Sequence, residues 1–281
     1  MFHGLSAFPL TPIADDRVDA DAYTGLVARL AAARVDSITA LGSTGSYPYL
    51  TRAERAATVR LAVAAAADIP VFAGIGALRT SQVLAAAADA QQAGAAAVLL
   101  APMSYQPLTP DDVYGLFEAV VAELSVPLIV YDNPGTTHFT FTDQLYADIA
   151  ALPRVASIKI PGPASAARVA TLRGLLPPHV AIGISGDAHA AAGIGNGCDV
   201  WYSVLGGTLP RAAQSVLAGG SDRLAPLWDL FAAHGSLRVM AAIAEQLGLA
   251  RRSCLPHPLR GLDDAARTRV AAVVDALDLA G

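Results

Sequence analysis

Eight short apolar runs, each followed by a helical pattern, constrain the fold of this chain more than any other feature. The runs begin about every 20 to 35 residues and are bounded by turn-forming residues. They are Leu5–Leu10, Ser37–Gly42, Val71–Ile75, Ala96–Ala101, Pro127–Tyr131, Val155–Ile160, Val180–Ser185 and Asp199–Val204. Near-continuous apolar strands that alternate with helices are typical of a parallel sheet covered on both faces. Eight such units favour an α/β fold of the closed (β/α)8 TIM barrel type.

Capping residues mark where the helices between these strands begin. Asp19 and Thr109 have the form of N-caps, and Pro110 at the first helical position strengthens the second of them. Thr51, followed three residues later by Glu54, has the form of a capping box. An open, doubly wound sheet is the alternative, but its G-x-G-x-x-G turn does not follow the first strand. The pattern therefore predicts the closed barrel.

The strand pattern stops near residue 221, which predicts two parts of the chain. Residues 1–221 form the barrel domain in this prediction, and residues 222–281 form a helical region that packs on it. This region holds three helical patterns with no strand between them, over Leu224–Ala233, Ser236–Leu247 and Asp263–Leu277.

Composition narrows the class of ligand. Of the 281 residues 54% are hydrophobic, yet no apolar run reaches the roughly 18 residues that a membrane span needs. The first residues do not have the form of a secretion signal, so we expect a cytoplasmic protein. The net charge of −5, with scattered arginines, argues against nucleic acid. The distant pair Cys198 and Cys254 predicts free thiols rather than a metal site. We expect a small-molecule ligand, and neither a cofactor nor a metal.

Lys159 is the only lysine in the sequence, and the other basic residues among the 19 are all arginine. It lies in the apolar run Val155–Pro161. Arginine stays charged, but the pKa of a lysine amine falls when the amine is desolvated, which leaves a nucleophile that can form a Schiff base with a carbonyl. A strand-end lysine that merely reaches water is the alternative. The absence of lysine elsewhere favours a chemical role.

Parallel barrels collect their reactive groups at the C-terminal ends of the strands. Tyr131 ends the fifth strand and precedes Lys159 by about one βα unit, so we expect the two at the same height on neighbouring strands. In a Schiff-base mechanism Lys159 attacks the carbonyl, and Tyr131 relays protons with the Ser43 hydroxyl. We expect the backbone amides of the Ser43–Gly45 turn, at a helix N-terminus, to hold the carboxylate, with Gly45 allowing close approach.

Other polar residues near the strand ends are weaker candidates. Asp132 and His138 follow the fifth strand and are candidates for contacts with the variable part of the substrate, although polar loop residues are usually only solvated. Asp187 and His189 have D-x-H spacing, but a third metal ligand is not evident, so no metal is predicted. Tyr105 follows the fourth strand and is a candidate for substrate binding.

Four segments have the order and spacing of one known family. They are Gly42-Ser43-Thr44-Gly45, Tyr131-Asp132-Asn133-Pro134-Gly135, Ser157-Ile158-Lys159 and Ser185-Gly186-Asp187. Over essentially its whole length the chain resembles the dihydrodipicolinate synthase / N-acetylneuraminate lyase family. The resemblance implies a (β/α)8-barrel class I aldolase or dehydratase with a C-terminal helical region. It also implies that pyruvate or a longer 2-oxo acid is bound as a Schiff base, usually in a homotetramer.

The resemblance also implies roles for single residues. Lys159 is then the Schiff-base lysine and Tyr131 the catalytic tyrosine. Ser43 is the relay hydroxyl and Thr44 a carboxylate contact. The candidates for substrate binding are Thr44, Gly45, Gly186, Thr136, Tyr202 and Tyr105.

The chain departs from the family pattern at positions that distinguish substrates. Thr136 stands where dihydrodipicolinate synthases have an arginine that grips a carboxylate, and Ser46 replaces a glutamate. Met103-Ser104 replaces a Tyr-Tyr pair, which puts in doubt a tyrosine contributed across a subunit interface. Ile160-Pro161-Gly162-Pro163 lacks the usual acidic residue. The bulky pair Trp201-Tyr202 is expected to narrow the pocket.

The sequence therefore predicts a Schiff-base-forming lyase that acts on pyruvate with an aldehyde, or on a 2-keto-3-deoxy sugar acid. Three alternatives stay open: a 4-hydroxy-tetrahydrodipicolinate synthase proper, a paralogue that binds a 2-oxo acid without turning it over, and a phosphate-binding barrel enzyme that forms no imine. The expected partners are the 2-oxo acid and an aldehyde, without nucleic acid or membrane. A homo-oligomer, either a tetramer or a dimer, is expected.

Overall fold

The computed structural model describes residues 1–279 and contains a closed barrel of eight parallel strands. Each strand pairs with the next one along the chain, and the last pairs with the first. The strands β1 to β8 are Gly4–Ala7, Ser37–Ala40, Val71–Gly74, Ala97–Leu100, Leu128–Tyr131, Val155–Pro161, Ala181–Ser185 and Val200–Ser203. The predicted (β/α)8 TIM barrel is confirmed.

Helices cover the outside of the barrel and follow its strands. The helices α1 to α12 are Ala20–Ala32, Arg52–Ala65, Thr80–Gln92, Pro110–Ala122, Pro134–Thr137, Asp143–Ala150, Ala166–Leu175, Ala190–Gly195, Pro210–Leu217, Ala225–His234, Ser236–Gln246 and Asp264–Ala276. The predicted caps are present: the Asp19 carboxylate accepts from the Ala22 amide, and Thr51 and Thr109 each close a capping box. None of the helices in the described part of the chain is long and apolar enough to cross a membrane.

Most strands end earlier than their apolar runs predicted. The run Leu5–Leu10 was expected to be one strand, but β1 ends at Ala7, although Phe8 and Leu10 are also buried. The second run ends at Ala40 because Leu41 turns to a positive φ of 57°. Apolar residues therefore continue into buried loops beyond the hydrogen-bonded ladder. These loops bring side chains to the C-terminal mouth of the barrel.

The C-terminal helices α10, α11 and α12 lie within one residue of the patterns predicted for them. Leu26 of α1 shares a buried cluster with Ala241 and Ala244 of α11, which packs the helical region against the barrel. A domain boundary at residue 221 stays a prediction. The last two residues of the predicted helical region, 280 and 281, lie outside the described residues.

Candidate active site

The register of the barrel places Lys159 directly beside Tyr131. The two residues are Cα partners in the parallel pairing of β5 with β6, and the Asp132 amide donates to the Lys159 carbonyl over 3.0 Å. Residues that are partners in adjacent strands point to the same face of a sheet. Both side chains therefore enter the barrel mouth at one height, as the spacing of one βα unit predicted.

Burial changes the acidity of the Lys159 amine. The residue is only 6% exposed, and its Nζ lies 4.1 Å from the centroid of the Tyr131 ring and 5.5 Å from that of Phe8. Desolvation lowers the pKa of Lys159 from 10.5 to about 7, against the opposing effect of the Asp187 and Asp132 carboxylates. About half of the amines are then neutral at pH 7, which is the form that attacks a carbonyl.

The Tyr131 hydroxyl has two polar neighbours in its own chain. Asn133 donates to it from Nδ2 over 2.8 Å, and the Ser43 side chain is a second hydrogen-bonding neighbour. Burial raises the pKa of Tyr131 strongly, whereas these two neighbours lower it. The phenol is therefore protonated at neutral pH, with neighbours that stabilise it when it gives up the proton.

These groups open into a cavity with a volume of about 460 Å³, within the range usual for small-molecule sites. We call the inner part of the cavity, around Lys159, the floor and its outer part the rim. The floor consists of Phe8, Ser43, Thr44, Tyr131, Asn133, Lys159 and Tyr202. The rim consists of Thr136, His189, Trp228, Phe231, Ser236 and Leu237.

Most of the predicted substrate-binding residues line this cavity. Thr44 and Tyr202 are in the floor, Thr136 is in the rim, and Gly186 lies between them. Gly186 has a φ of 84°, a left-handed conformation that favours glycine. Tyr202 fits inside the barrel because Gly183 carries no side chain, since a Cβ there would lie 2.2 Å from the Tyr202 ring.

Gly45 does not line the cavity, in contrast to the role predicted for it. Its amide donates to the Gly42 carbonyl over 3.0 Å, and a Cβ at this position would lie 3.1 Å from the Leu41 backbone. A side chain at this position would be crowded within the turn itself, whereas the predicted approach of Gly45 to a ligand stays a prediction. A 3₁₀ turn at Tyr47–Tyr49 follows, and α2 begins only at Arg52, so the turn is not at an α-helix N-terminus. Carboxylate binding stays a prediction for the other two residues of the turn.

Three further candidates lie away from the cavity. Tyr105 is 89% exposed and does not contact the floor of its own chain. The Asp132 carboxylate accepts from the Tyr146 hydroxyl over 2.5 Å, on the opposite face of β5 from Tyr131. His138 is exposed and also lies outside the cavity lining. None of the three lines the cavity in this chain, and a role for them in substrate binding stays a prediction.

Asp187 lines the cavity, and its carboxylate is tied by hydrogen bonds to β8 and the loop that follows. Its carboxylate accepts from the Trp201 indole over 3.0 Å and from the Val204 and Leu205 amides over 3.2 and 2.7 Å. Trp201 thus points away from the cavity, and of the predicted Trp201-Tyr202 pair only Tyr202 narrows it. Within residues 1–279, no three His, Cys, Asp or Glu side chains are grouped so that they could hold a metal ion.

Several lining residues were not identified from the sequence, among them Phe8, Asn133, Trp228 and Phe231. Phe8 was assigned to the first strand, and Asn133 was noted only as part of a motif. Trp228 and Phe231 lie on α10, where their ring centroids are 5.5 Å apart. The sequence signal for Phe8 was its position directly before a proline, where strands often end. For the two α10 residues the sequence carries no such signal.

Comparison with known proteins assigns the chain to a family. The model of the dihydrodipicolinate synthetase family matches residues 1–277. A 4-hydroxy-tetrahydrodipicolinate synthase of Ruegeria pomeroyi is 28% identical over 98% of both chains. One of Anaplasma marginale is 33% identical over 72% of this chain and 67% of its own. The chain belongs to the dihydrodipicolinate synthetase family.

Solved structures agree with this assignment. The crystal structure of a dihydrodipicolinate synthase from Agrobacterium tumefaciens has a TM-score of 0.93 and 46% identity, with 98% of both chains covered. A dihydrodipicolinate synthase from Aquifex aeolicus has a TM-score of 0.90 at 22% identity, with 99% of both chains covered, and supports the fold alone. Since the named relatives are lyases, the chain is an enzyme of the lyase type.

Proposed function

We propose that the chain is a class I lyase that joins Lys159 to the carbonyl carbon of a 2-oxo acid as an imine. The observation that carries the proposal is the pairing of a buried lysine, whose pKa is lowered to about 7, with a tyrosine at the same height on the next strand. A neutral amine beside a protonated phenol is the arrangement that imine chemistry requires near neutral pH.

Each step can be written with the groups of the floor. The Lys159 nitrogen bonds to C2 of pyruvate while the carbonyl π bond breaks, and one nitrogen proton moves to the oxygen through Tyr131. Tyr131 then protonates the hydroxyl, which leaves as water, and the nitrogen lone pair forms the protonated imine. The phenolate of Tyr131 removes a proton from C3, which gives the enamine. The enamine adds to an aldehyde, or is formed in reverse by cleavage of a longer 2-oxo acid.

The floor also supports binding of the carboxylate beside the reacting carbonyl. Ser43 and Thr44 follow β2 and face the cavity with Lys159. The hydroxyl groups and backbone amides of these two residues are donors suited to a carboxylate. The carboxylate then fixes the carbonyl carbon above the amine.

For the second part of the substrate we propose an aldehyde, or the distal end of a 2-keto-3-deoxy sugar acid. Within residues 1–279 no arginine lines the cavity, and Thr136 occupies the rim where an arginine would grip a second carboxylate. The names of the relatives favour 4-hydroxy-tetrahydrodipicolinate synthase as the second candidate. We further propose that the enzyme works in the cytoplasm as a homo-oligomer.

The first experiment is intact-mass analysis after borohydride reduction in the presence of pyruvate. The wild type should gain one reduced pyruvate adduct, and Lys159→Ala should gain none. Tyr131→Phe is the matched control, because it keeps the amine and should still acquire the adduct slowly. A wild type with no adduct, from pyruvate or from longer 2-oxo acids, would contradict the proposal.

A second measurement separates turnover from mere binding. An enzyme that forms the enamine exchanges the methyl protons of pyruvate into deuterated water, and proton NMR follows this loss of signal. An adduct without exchange would support the paralogue that binds a 2-oxo acid without turning it over.

A further inference from the structure

The Asn133 side chain donates a hydrogen bond to the Tyr131 hydroxyl, although Asn133 takes no part in the steps of imine formation. Its Nδ2 lies 2.8 Å from the Tyr131 oxygen, and both side chains line the cavity. A side-chain amide nitrogen can donate a hydrogen bond but cannot accept one. The Tyr131 oxygen is therefore the acceptor in this pair, and its own proton is directed elsewhere.

The local backbone leaves the Asn133 side chain free for this contact. The short helix Pro134–Thr137 starts from the Asn133 backbone carbonyl, which accepts from the Thr136 and Thr137 amides over 3.0 Å each. The Asn133 side chain makes no capping bond to that helix. Removal of the side-chain amide therefore leaves the bonds that start the helix in place.

The contact becomes stronger at the moment when Tyr131 has lost its proton. A hydrogen bond from a neutral amide to a phenolate is charge-assisted, and such bonds are roughly twice as strong as neutral ones. Burial, the neighbouring Tyr47 and the Asp132 carboxylate raise the pKa of Tyr131 and so oppose the phenolate, whereas Asn133 and Ser43 favour it. An interaction that is stronger in the charged state than in the resting state accelerates the step that forms that state.

We infer that Asn133 is a positioning residue that holds the Tyr131 oxygen as an acceptor and so leaves the Tyr131 proton directed at the substrate bonded to Lys159. The inference rests on the proposed function, since the relay has a purpose only if an imine forms. Tyr131 gives its proton to the departing hydroxyl and regains one from C3. Asn133 itself neither gains nor loses a proton.

The test compares three asparagine variants by the rate of exchange of pyruvate methyl protons, from about pH 5 to 10. Asn133→Ala removes the donor, and Asn133→Asp replaces it with an acceptor of the same size. Asn196→Ala is the matched control: the sequence has only these two asparagines, and the Asn196 amide donates to the Ala164 carbonyl outside the cavity. Borohydride trapping accompanies each measurement.

Asn133→Ala should lower the maximal exchange rate by about 10- to 100-fold, with a change of less than about threefold in the KM for pyruvate. Asn133→Asp should lower the exchange rate at pH 8 more than Asn133→Ala does, because a carboxylate cannot donate a hydrogen bond and its charge opposes the phenolate. Relative to wild type, its activity should recover as the pH falls and the introduced carboxyl becomes protonated, since a carboxylic acid can donate as the amide does. Asn196→Ala should keep the wild-type pH profile.

Two results with the single variants would overturn the inference. Full activity of Asn133→Asp at pH 8 would show that Tyr131 donates to residue 133, which is the reverse polarity. Activity of Asn133→Ala within twofold of wild type would show that the contact is not used.

A double variant tests whether Asn133 acts through Tyr131. In a Tyr131→Phe background, Asn133→Ala should lower the exchange rate by less than about twofold, because the hydroxyl that Asn133 positions is already absent. An equal loss in both backgrounds would show that Asn133 acts independently of the tyrosine, and would overturn the inference.

The failure of this inference can be told apart from the failure of the proposed function. A wild type without a borohydride adduct overturns the proposed function. A wild type that forms the adduct but exchanges no methyl protons leaves the imine intact and overturns the inference, since Tyr131 then moves no proton at C3. An intact adduct in all variants, with exchange reduced only at Asn133, supports both.

Discussion

The floor and the rim of the cavity differ in how the chain holds their side chains. Lys159 and Tyr131 stand on paired strands, and Tyr202 is fixed by a 2.7 Å hydrogen bond to Ser157. The rim comes from loops and from α10 and α11, and its members Trp228 and Phe231 are only partly buried. The floor is mostly buried and carries the two reactive groups with shifted pKa values, whereas most of the rim is only partly buried or exposed.

From this difference we expect that reaction type and substrate choice are separable in this molecule. Groups on barrel strands are positioned by the backbone ladder, while loop groups can change without disturbing it. If the separation is real, a change in the floor alters the chemistry with every substrate. A change in the rim then alters only the preference among substrates.

The largest effect is expected from Tyr131→Phe. Loss of the proton relay should lower turnover by about 10²- to 10⁴-fold, the usual contribution of general acid–base catalysis. The rate of methyl-proton exchange from pyruvate measures it. Tyr202→Phe keeps the ring in the floor and loses only the hydroxyl bonded to Ser157, so its loss should be at least tenfold smaller. Equal losses would mean that the relay is not specific to Tyr131.

The next largest effect is expected on the free energy of unfolding, because Lys159 is buried. The folded protein holds the pKa of Lys159 near 7, whereas the ordinary value is 10.5. The unfolded chain therefore binds a proton more tightly, so this residue destabilises the fold fully below about pH 7 and ceases to do so above about pH 10.5. Lys159→Met should be more stable by about 3 to 5 kcal/mol at pH 7. The gain should disappear towards pH 10.5.

Urea denaturation at both pH values measures this gain. Arg60→Met, at an exposed position, is the control and should show no comparable stabilisation. A gain for Lys159→Met that persists at high pH would show that packing, rather than the proton, is its cause.

The pH dependence of imine formation should follow the same amine. Below about pH 7 the neutral fraction of Lys159 falls tenfold for each pH unit, so the second-order rate with pyruvate should fall in proportion. Above about pH 8 the rate should level off. Rapid quenching with borohydride measures the rate. A rise that continues to pH 10 would mean that the amine has the pKa of an exposed lysine.

The smallest effects are expected at the rim. Thr136→Arg supplies a guanidinium that can pair with a carboxylate, so it should raise the preference for carboxylated over uncharged aldehydes by about tenfold. Phe231→Ala should lower the use of bulky apolar aldehydes by a similar factor. Borohydride trapping with pyruvate should be unchanged in both variants. A slower imine with either variant would show that floor and rim are not separable.

The sequence predicted the barrel well because each strand and helix has its own local signal. The spacing of one βα unit also predicted that Tyr131 and Lys159 lie side by side, since the strands of a parallel barrel keep a constant register. The alternation of side chains along a strand also predicts which residue of the Trp201-Tyr202 pair faces the cavity. Trp201 and Tyr202 are neighbours on β8 and therefore point to opposite faces, so only one of them can narrow the cavity.

The rim could not be predicted in the same way. The pattern of α10 indicates which of its faces is apolar, but it does not indicate which part of the barrel that face covers. Trp228 and Phe231 reach the cavity only through the packing of the C-terminal helices. The role of Gly45 could not be predicted for a different reason. A glycine in a turn is compatible either with close approach of a ligand or with tight packing inside the turn, and only the structure shows its contact with the Leu41 backbone.

Because the chain has a single lysine, reagents that modify primary amines can be directed at the cavity. Apart from the chain's terminal amine, every reagent directed at primary amines has one target, and that target lines the cavity. Its low pKa makes it reactive near neutral pH, where exposed lysines are protonated. The fraction of Lys159 that an acylating or aldehyde probe labels at neutral pH therefore measures the fraction of working sites in a preparation. A 2-oxo acid that protects Lys159 from the probe is thereby shown to bind in the cavity.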